Sequence, residues 1–124
     1  MTTVALSETT FGDTVQNNDM VLIDFWAEWC GPCRSFAPVY DKISGEFPNV
    51  VFAKVDTEAE QGLGSAFNIT SIPTLMAIRE GVVLFSQAGA LPEPELRKLV
   101  TALQELDMAE IHAKIAAESE AAPE

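Results

Sequence analysis

The chain has 124 residues, of which 48% are hydrophobic and 21% are charged, as expected for one globular domain and not for a disordered chain. The formal net charge of −12 argues against a nucleic-acid partner, because binding a phosphate backbone requires clustered Lys and Arg. No apolar run approaches the ~20 residues that cross a bilayer, and no signal peptide begins the chain. We therefore predict a cytoplasmic protein with no membrane partner.

The N-terminal part of the chain predicts a strand, a helix and a second strand. Residues 3–6 form a short edge strand in this interpretation, and Ser7 or Thr9 caps a helix that runs to about Asn18. The apolar run Met20–Trp26 predicts a strand that is buried on both faces.

Two cysteines follow this strand in C-x-x-C spacing, with Pro32 between them. Proline suits the start of a helix, which places Cys30 just before the helix and Cys33 one turn inside it. The free N–H groups and the dipole of a helix N-terminus favour a thiolate at Cys30. Zinc would need about four ligands, and the chain offers these two cysteines and the distant His112. We interpret the pair as redox-active and predict no metal.

The helix that begins at Pro32 is predicted to continue to about Glu46, although Pro38 lies inside it. The alternative is a helix that ends before Pro38, because proline removes a backbone hydrogen bond and clashes with the preceding turn. An apolar stripe on both sides of Pro38 favours a kinked helix. The stripe consists of Phe36, Val39, Tyr40 and Ile43.

The following elements alternate between strands and helices. They are a strand at 50–55, a helix at 58–67, a hairpin of Thr74–Arg79 and Val82–Ala88 joined by Glu80 and Gly81, and a helix from Pro92 or Glu93. This order predicts a three-layer α/β domain in which helices cover both faces of a mixed sheet.

The apolar pattern changes after Leu106. At 100° per residue, the apolar side chains of the next segment point about 100° away from the stripe of the preceding helix. Asp107 and Glu110 also have the spacing of a capping box. We predict a domain at 1–106 and an extension at 107–124, with a separate helix at about 107–118 and a frayed tail from Ser119. A single bent helix is the alternative. The two apolar sets are Leu96, Leu99, Val100 and Leu103, then Met108, Ile111 and Ile115.

The run from Asp24 to Cys33 resembles the active-site signature of the thioredoxins. Residues 72–74, Ile-Pro-Thr, resemble the cis-proline loop of that family, and Gly81 and Gly89 stand where its members carry glycines. The resemblance spans about residues 3–106. It implies the thioredoxin fold, a three-layer α/β/α sandwich with a central mixed β-sheet, here with an extra short C-terminal helix.

The resemblance implies catalytic roles for four residues. Cys30 would attack a substrate disulfide, Cys33 would resolve the mixed disulfide, and Asp24 would handle the proton. The apolar neighbours of Asp24 in its strand independently predict a buried carboxyl with a raised pKa, against the alternative of a paired structural or strand-end Asp. Lys54 either pairs with Asp24, as the resemblance implies, or buries its stem and extends its ammonium to water.

The resemblance also implies a substrate-binding surface. Trp29 would cover the thiol, and the backbone beside a cis Pro73 would pair with an extended substrate segment. Ser71 and Arg34 depart from the family, which commonly has Gly and Lys at these positions. The implied substrate-binding residues are Trp29, Gly31, Pro32, Ile72, Pro73 and Gly89.

We therefore predict a thioredoxin-like electron carrier that reduces protein disulfides. The resemblance implies recharging by thioredoxin reductase, an NADPH-dependent flavoprotein. The chain has no Gly-rich dinucleotide fingerprint, so we predict no cofactor of its own. One alternative is a thioredoxin-fold oxidase or isomerase. The other is a thioredoxin-fold interaction or scaffold subunit that acts through its C-terminal extension.

Overall fold

The computed structural model describes residues 3–121 and contains one mixed sheet with helices on both faces. The strands lie in the order β1-β3-β2-β4-β5; β1, β3 and β2 are parallel, and β4 is antiparallel to both β2 and β5. The predicted three-layer α/β architecture is confirmed. The elements are β1 (Thr3–Ala5), α1 (Phe11–Asn17), β2 (Met20–Trp26), α2 (Gly31–Ser44), β3 (Val51–Asp56), α3 (Gln61–Ala66), β4 (Thr74–Arg79), β5 (Val82–Ala88), α4 (Glu93–Gln104) and α5 (Met108–Ala121).

The alternation of side chains along the central strand β2 divides the core in two. Leu22 packs with Tyr40 of α2 and Val100 of α4 on one face of the sheet. Ile23 belongs to the opposite face, together with Phe11 of α1 and Leu63 of α3. Each fully buried side chain of this kind contributes about 1.5–3 kcal/mol, so a strand that is apolar on both faces is stable only at the centre of the sheet.

The strand β2 and the β4–β5 hairpin have the predicted bounds. The hairpin turn has positive φ at both of its central residues, 52° at Glu80 and 79° at Gly81, as a type I′ turn requires. The edge position of β1 is also confirmed.

Helix α1 begins later than predicted. Neither Ser7 nor Thr9 caps it; the residue before the helix is Thr10, whose side chain makes no capping bond. The Ser7 carbonyl instead accepts hydrogen bonds from the N–H groups of Thr10 and Phe11, at 3.2 and 3.0 Å. The three hydroxyl residues therefore form a turn of their own, in competition with the first helical turn.

Helix α3 is shorter than the predicted helix at 58–67 because a side chain holds the preceding residues in a turn. Asp56 Oδ1 accepts hydrogen bonds from the N–H groups of Glu58 and Ala59, at 2.9 and 3.3 Å. This local turn satisfies donors that a longer helix would use, so the helix starts only at Gln61.

Helix α2 is continuous across Pro38, so the alternative of a helix that ends before this proline is wrong. The helix ends at Ser44, two residues before the predicted end. Phe36, Tyr40 and Ile43 of its apolar stripe are buried and Val39 packs beside them, which explains how packing outweighs one lost backbone bond.

The extension forms a helix that is separate from α4, so the single bent helix is wrong. Asp107 Oδ1 accepts a hydrogen bond from the Glu110 N–H at 3.2 Å, as predicted for the cap. Met108 is buried at 6% exposure, whereas Ile115 at 41% is exposed. The helix runs to Ala121, three residues past the predicted end at 118. The frayed tail from Ser119 stays a prediction, and its last part, 122–124, lies outside the described residues.

Arg79 at the end of β4 stabilises the junction between α4 and α5. Its Nη1 donates to the carbonyls of Leu103, Gln104 and Leu106 at 3.0–3.2 Å, and its Nε donates to Asp19 Oδ2 at 3.1 Å. The carbonyls of the last turn of a helix have no partner within it, so by donating to Leu103 and Gln104 the guanidinium acts as a C-terminal cap for α4, and by donating to Leu106 it also binds the loop before α5.

Candidate active site

The two cysteines form a disulfide at the N-terminus of α2, with 5.3 Å between their Cα atoms. Cys30 is the N-cap residue, and its Sγ accepts a hydrogen bond from the Cys33 N–H at 3.2 Å. Both residues are less than 5% exposed. The predicted placement at the helix start is therefore confirmed, and the amide donor would stabilise a thiolate on Cys30 after reduction.

The loop before β4 lies against this disulfide. The carbonyl oxygen of Ile72 is 3.8 Å from Cys30 Sγ, and the Ile72–Pro73 peptide bond is cis. The Pro73 carbonyl accepts a hydrogen bond from the Gly89 N–H at 2.8 Å, and Gly89 has a φ of 108°, where glycine is favoured. The predicted loop residues therefore come together, with Gly89, the residue directly after β5, holding the Pro73 carbonyl.

Trp29 stands beside the disulfide with its side chain largely in solvent, at 67% exposure. Gly31 and Pro32 are the first two residues of α2 and are also exposed. Arg34 Nη1 donates to the Glu28 carbonyl at 3.2 Å, which fixes the turn before the helix. The surface around the buried sulfurs is thus open to a partner chain.

Asp24 is fully buried in the middle of β2, and among residues 3–121 neither of its carboxyl oxygens has a hydrogen-bond partner. The alternatives of a paired structural Asp and of a strand-end residue are therefore wrong. By the alternation of β2, its side chain shares a sheet face with Leu22, the face that α2 covers. Burial raises the pKa of Asp24 from 3.8 to about 7, although the charge of Lys54 acts in the opposite direction.

Lys54 is the neighbour of Asp24 across the β2–β3 pairing, but no ion pair joins the two side chains within the described chain. The residue is half-buried, and its ammonium lies 5.0 Å from the centre of the Trp26 ring. A cation over an aromatic face is attracted to it. The alternative in which Lys54 pairs with Asp24 is therefore wrong as regards contact, but the charge of Lys54 still lowers the pKa of Asp24.

Two features of the structure were not predicted, one beside the site and one at the β4–β5 turn. A groove between Trp29 and Ile72 includes Glu58, to which the sequence alone assigned no function. His112 is exposed, as predicted, but its Nε2 also lies 2.8 Å from Glu80 Oε1. Both features join residues distant in sequence, so local patterns give no signal for them.

Other kinds of site were sought in the described residues. Between 3 and 121, no three His, Cys, Asp or Glu side chains converge as metal ligands would. None of the helices in that range has both the length and the apolar character needed to cross a membrane.

Comparison with known proteins agrees with this geometry. The family model named Thioredoxin matches residues 2–105. The thioredoxin 2 relative of Streptomyces coelicolor is 53% identical over 92% of this chain and 85% of its own length. A thioredoxin of Haemophilus influenzae is 39% identical over 77% of this chain and 91% of its own.

Solved structures agree as well. A thioredoxin variant from Halobacterium salinarum superposes with a TM-score of 0.78 at 31% identity, covering 85% of this chain and 93% of that one. Thioredoxins reduce disulfides, and this chain carries the redox-active pair in the required position. The chain therefore belongs to the thioredoxin family and is a thiol–disulfide oxidoreductase.

Proposed function

We propose that this protein is a general reductant of protein disulfides in which Cys30 is the nucleophile. Its thiolate attacks one sulfur of the substrate disulfide, forming a mixed disulfide and releasing the first substrate thiolate. The Cys33 thiolate then attacks Cys30 Sγ, which closes the Cys30–Cys33 disulfide and releases the second substrate thiolate. Two electrons and two protons pass to the substrate. The observation that carries this order is the position of Cys30 at the N-cap, where the Cys33 N–H contacts its sulfur.

In this proposal Asp24 accepts the proton of Cys33 when that thiol becomes a nucleophile. Support comes from its raised pKa of about 7, which leaves both protonation states populated near neutral pH. It also comes from the shared sheet face, since α2 covers Asp24 and carries Cys33. Lys54 is a positioning residue here, because its charge lowers the pKa of Asp24 without contacting the carboxyl.

The substrate segment binds across Ile72 and Pro73, beside Cys30. Support comes from the Ile72 carbonyl, 3.8 Å from Cys30 Sγ, and from Gly89, which holds the Pro73 carbonyl. An extended segment would add as a short strand at this edge. Trp29, Gly31 and Pro32 would form the rest of the contact surface, which their exposure supports.

The oxidised protein is recharged by a reductase. As in the family generally, we propose an NADPH-dependent flavoprotein, thioredoxin reductase, in the cytoplasm, so that this chain transports electrons and binds no cofactor of its own. The exposed surface of Trp29, Gly31 and Pro32 around the disulfide supports docking of a reductase and transfer by direct thiol–disulfide exchange.

Trapping of the mixed disulfide tests the order of attack. Reduced Cys33→Ser should accumulate a covalent complex with a disulfide-containing protein, because the resolving thiol is absent, whereas Cys30→Ser should not. Non-reducing electrophoresis with mass spectrometry of the linked peptide measures this. Trapping by Cys30→Ser alone would reverse the assigned roles.

The midpoint potential of the couple tests the direction of electron flow. Thioredoxins lie near about −270 mV, and equilibration with a dithiol buffer should give a value close to it. A value above about −200 mV would instead indicate an oxidase or isomerase.

A second role, as an interaction subunit, stays a prediction for the extension. The observation that favours it is the outer part of α5, where Ile115 is 41% exposed. Pull-down with the full chain and with a chain truncated after Leu106 tests it. An unchanged set of partners together with full activity would contradict this role.

A further inference from the structure

A groove of about 340 Å³ opens beside the active-site disulfide, between Trp29 and Ile72. Its walls come from three separate segments and are about equally polar and apolar, with hydroxyl and amide groups beside Trp29, Ile69 and Ile72. Among its lining residues, all in the described part of the chain, Glu58 alone carries a charge. The lining consists of Trp29, Thr57, Glu58, Gln61, Gly64, Ser65, Ile69, Thr70, Ser71 and Ile72.

The backbone of Glu58 is held in place while its carboxylate is free to meet a ligand. Asp56 Oδ1 accepts a hydrogen bond from the Glu58 N–H at 2.9 Å, and the Glu58 carbonyl accepts one from Gln61 Nε2 at 3.3 Å. The Glu58 side chain makes no ion pair with any residue of 3–121. By contrast, Glu46 is bound by Arg97 at 2.7 and 2.9 Å.

The indole of Trp29 supplies a second group that attracts cations. Its side chain is 67% exposed and lines the same groove as Glu58. An aromatic face and a carboxylate on one small groove suit a lysine ammonium or an arginine guanidinium, because the ring attracts the cation and the carboxylate pairs with it.

We propose that this groove binds a Lys or Arg side chain next to a cysteine of the substrate disulfide, with Glu58 as the residue that determines this specificity. The inference rests on the proposed function. Ile72 connects the reactive sulfur with the groove, because its carbonyl is 3.8 Å from Cys30 Sγ and the residue also lines the groove. Neighbouring residues of an extended segment are about 3.3 Å apart, so a long cationic side chain beside the attacked cysteine reaches the groove.

The size of the expected rate preference can be taken from the strength of similar interactions at exposed sites. A solvent-exposed ion pair and an exposed cation–aromatic contact are each worth about a twofold to fivefold change in an equilibrium or rate constant. We expect about a fivefold preference in kcat/KM, weakened by salt because the pair is exposed.

The test compares two disulfide-bridged peptides of identical composition and net charge. One carries its lysine next to a cysteine, and the other carries it at the far end. Identical charge removes the general attraction of a chain with net charge −12 for cations. Pre-reduced protein is mixed with each peptide, the reaction is quenched with acid, and the peptide dithiol is quantified by chromatography.

The wild type should reduce the first peptide about five times faster, and Glu58→Gln should lower this ratio to about two or less. Glu105→Gln is the control, because it removes the same charge from an exposed position outside the groove. Equal rates for the two peptides, or a ratio that Glu58→Gln leaves unchanged, would overturn the inference and leave the proposed function intact. Failure to reduce either peptide would refute both.

Discussion

The free energy of unfolding of the wild type should fall as the pH rises because of Asp24, and replacing Asp24 with asparagine should abolish this part of the pH dependence. The carboxyl is fully buried and has no hydrogen-bond partner in the described part of the chain, and its pKa is about 7 in the folded state against 3.8 for an ordinary Asp. At about 1.4 kcal/mol per tenfold change in proton affinity, these values correspond to about 4 kcal/mol.

The sign follows from proton binding. Between the two pKa values, the folded chain holds the Asp24 proton more tightly than the unfolded chain does. The stability that this proton contributes is fully present below about pH 3.8 and is lost as the pH rises through about 7. From pH 5 to 8.5, the free energy of unfolding of the wild type should fall by about 3 kcal/mol relative to Asp24→Asn.

Denaturant unfolding of both oxidised proteins at a series of pH values measures this difference. The other carboxyls titrate alike in both proteins, so subtraction cancels them. Burial of the asparagine amide adds a constant that does not depend on pH. A difference in unfolding free energy that stays flat within about 1 kcal/mol from pH 5 to 8.5 would refute the assigned environment of Asp24.

Three further substitutions test the surroundings of the site and the extension. Lys54→Met should move the midpoint of the Asp24-dependent pH effect to higher pH, since it removes a charge that lowers the pKa of that carboxyl; an unchanged midpoint in the same titration would contradict this. Tyr40→Phe should cost about 1–2 kcal/mol in denaturant unfolding, because the buried hydroxyl lies within 2.7 and 3.0 Å of two strand carbonyls; a neutral effect would show these bonds to be dispensable. Met108→Ala should cost about 2 kcal/mol while Ile115→Ala costs less than about 0.5 kcal/mol, given 6% and 41% exposure; equal costs would mean that α5 is not docked at its start.

The elements that sequence predicted well are those whose structure depends on neighbouring residues. The run Met20–Trp26 is apolar on both faces, which is stable only as a central strand. Cys30 caps α2 and Asp107 caps α5 through hydrogen bonds that span three residues. Gly81 supports a turn with positive φ. Local chemistry therefore determined these bounds.

The errors arose where side chains compete with the backbone or meet over long distances. Asp56 took donors that the predicted α3 would have used, and Ser7 did the same before α1. The choice of Lys54 between Asp24 and solvent depended on the Trp26 ring beside it, which only the packed sheet brings within reach. The groove of Glu58 likewise needs three segments to be folded together.

The burial of Asp24 links the stability of this fold to its chemistry. Desolvation disfavours the charged carboxylate, and this single effect both destabilises the folded chain above neutral pH and raises the pKa of the group to about 7. A hydrogen-bond partner for the carboxylate would restore stability, but it would also lower the pKa and leave the group ionised when a proton has to be held. Lys54 keeps the pKa of Asp24 between these two limits, because its charge lowers that pKa without forming an ion pair. A chain selected only for stability would place a leucine at this position. The proposed proton transfer with Cys33 gives the buried carboxyl, which has no hydrogen-bond partner among residues 3–121, a role that a leucine could not fill.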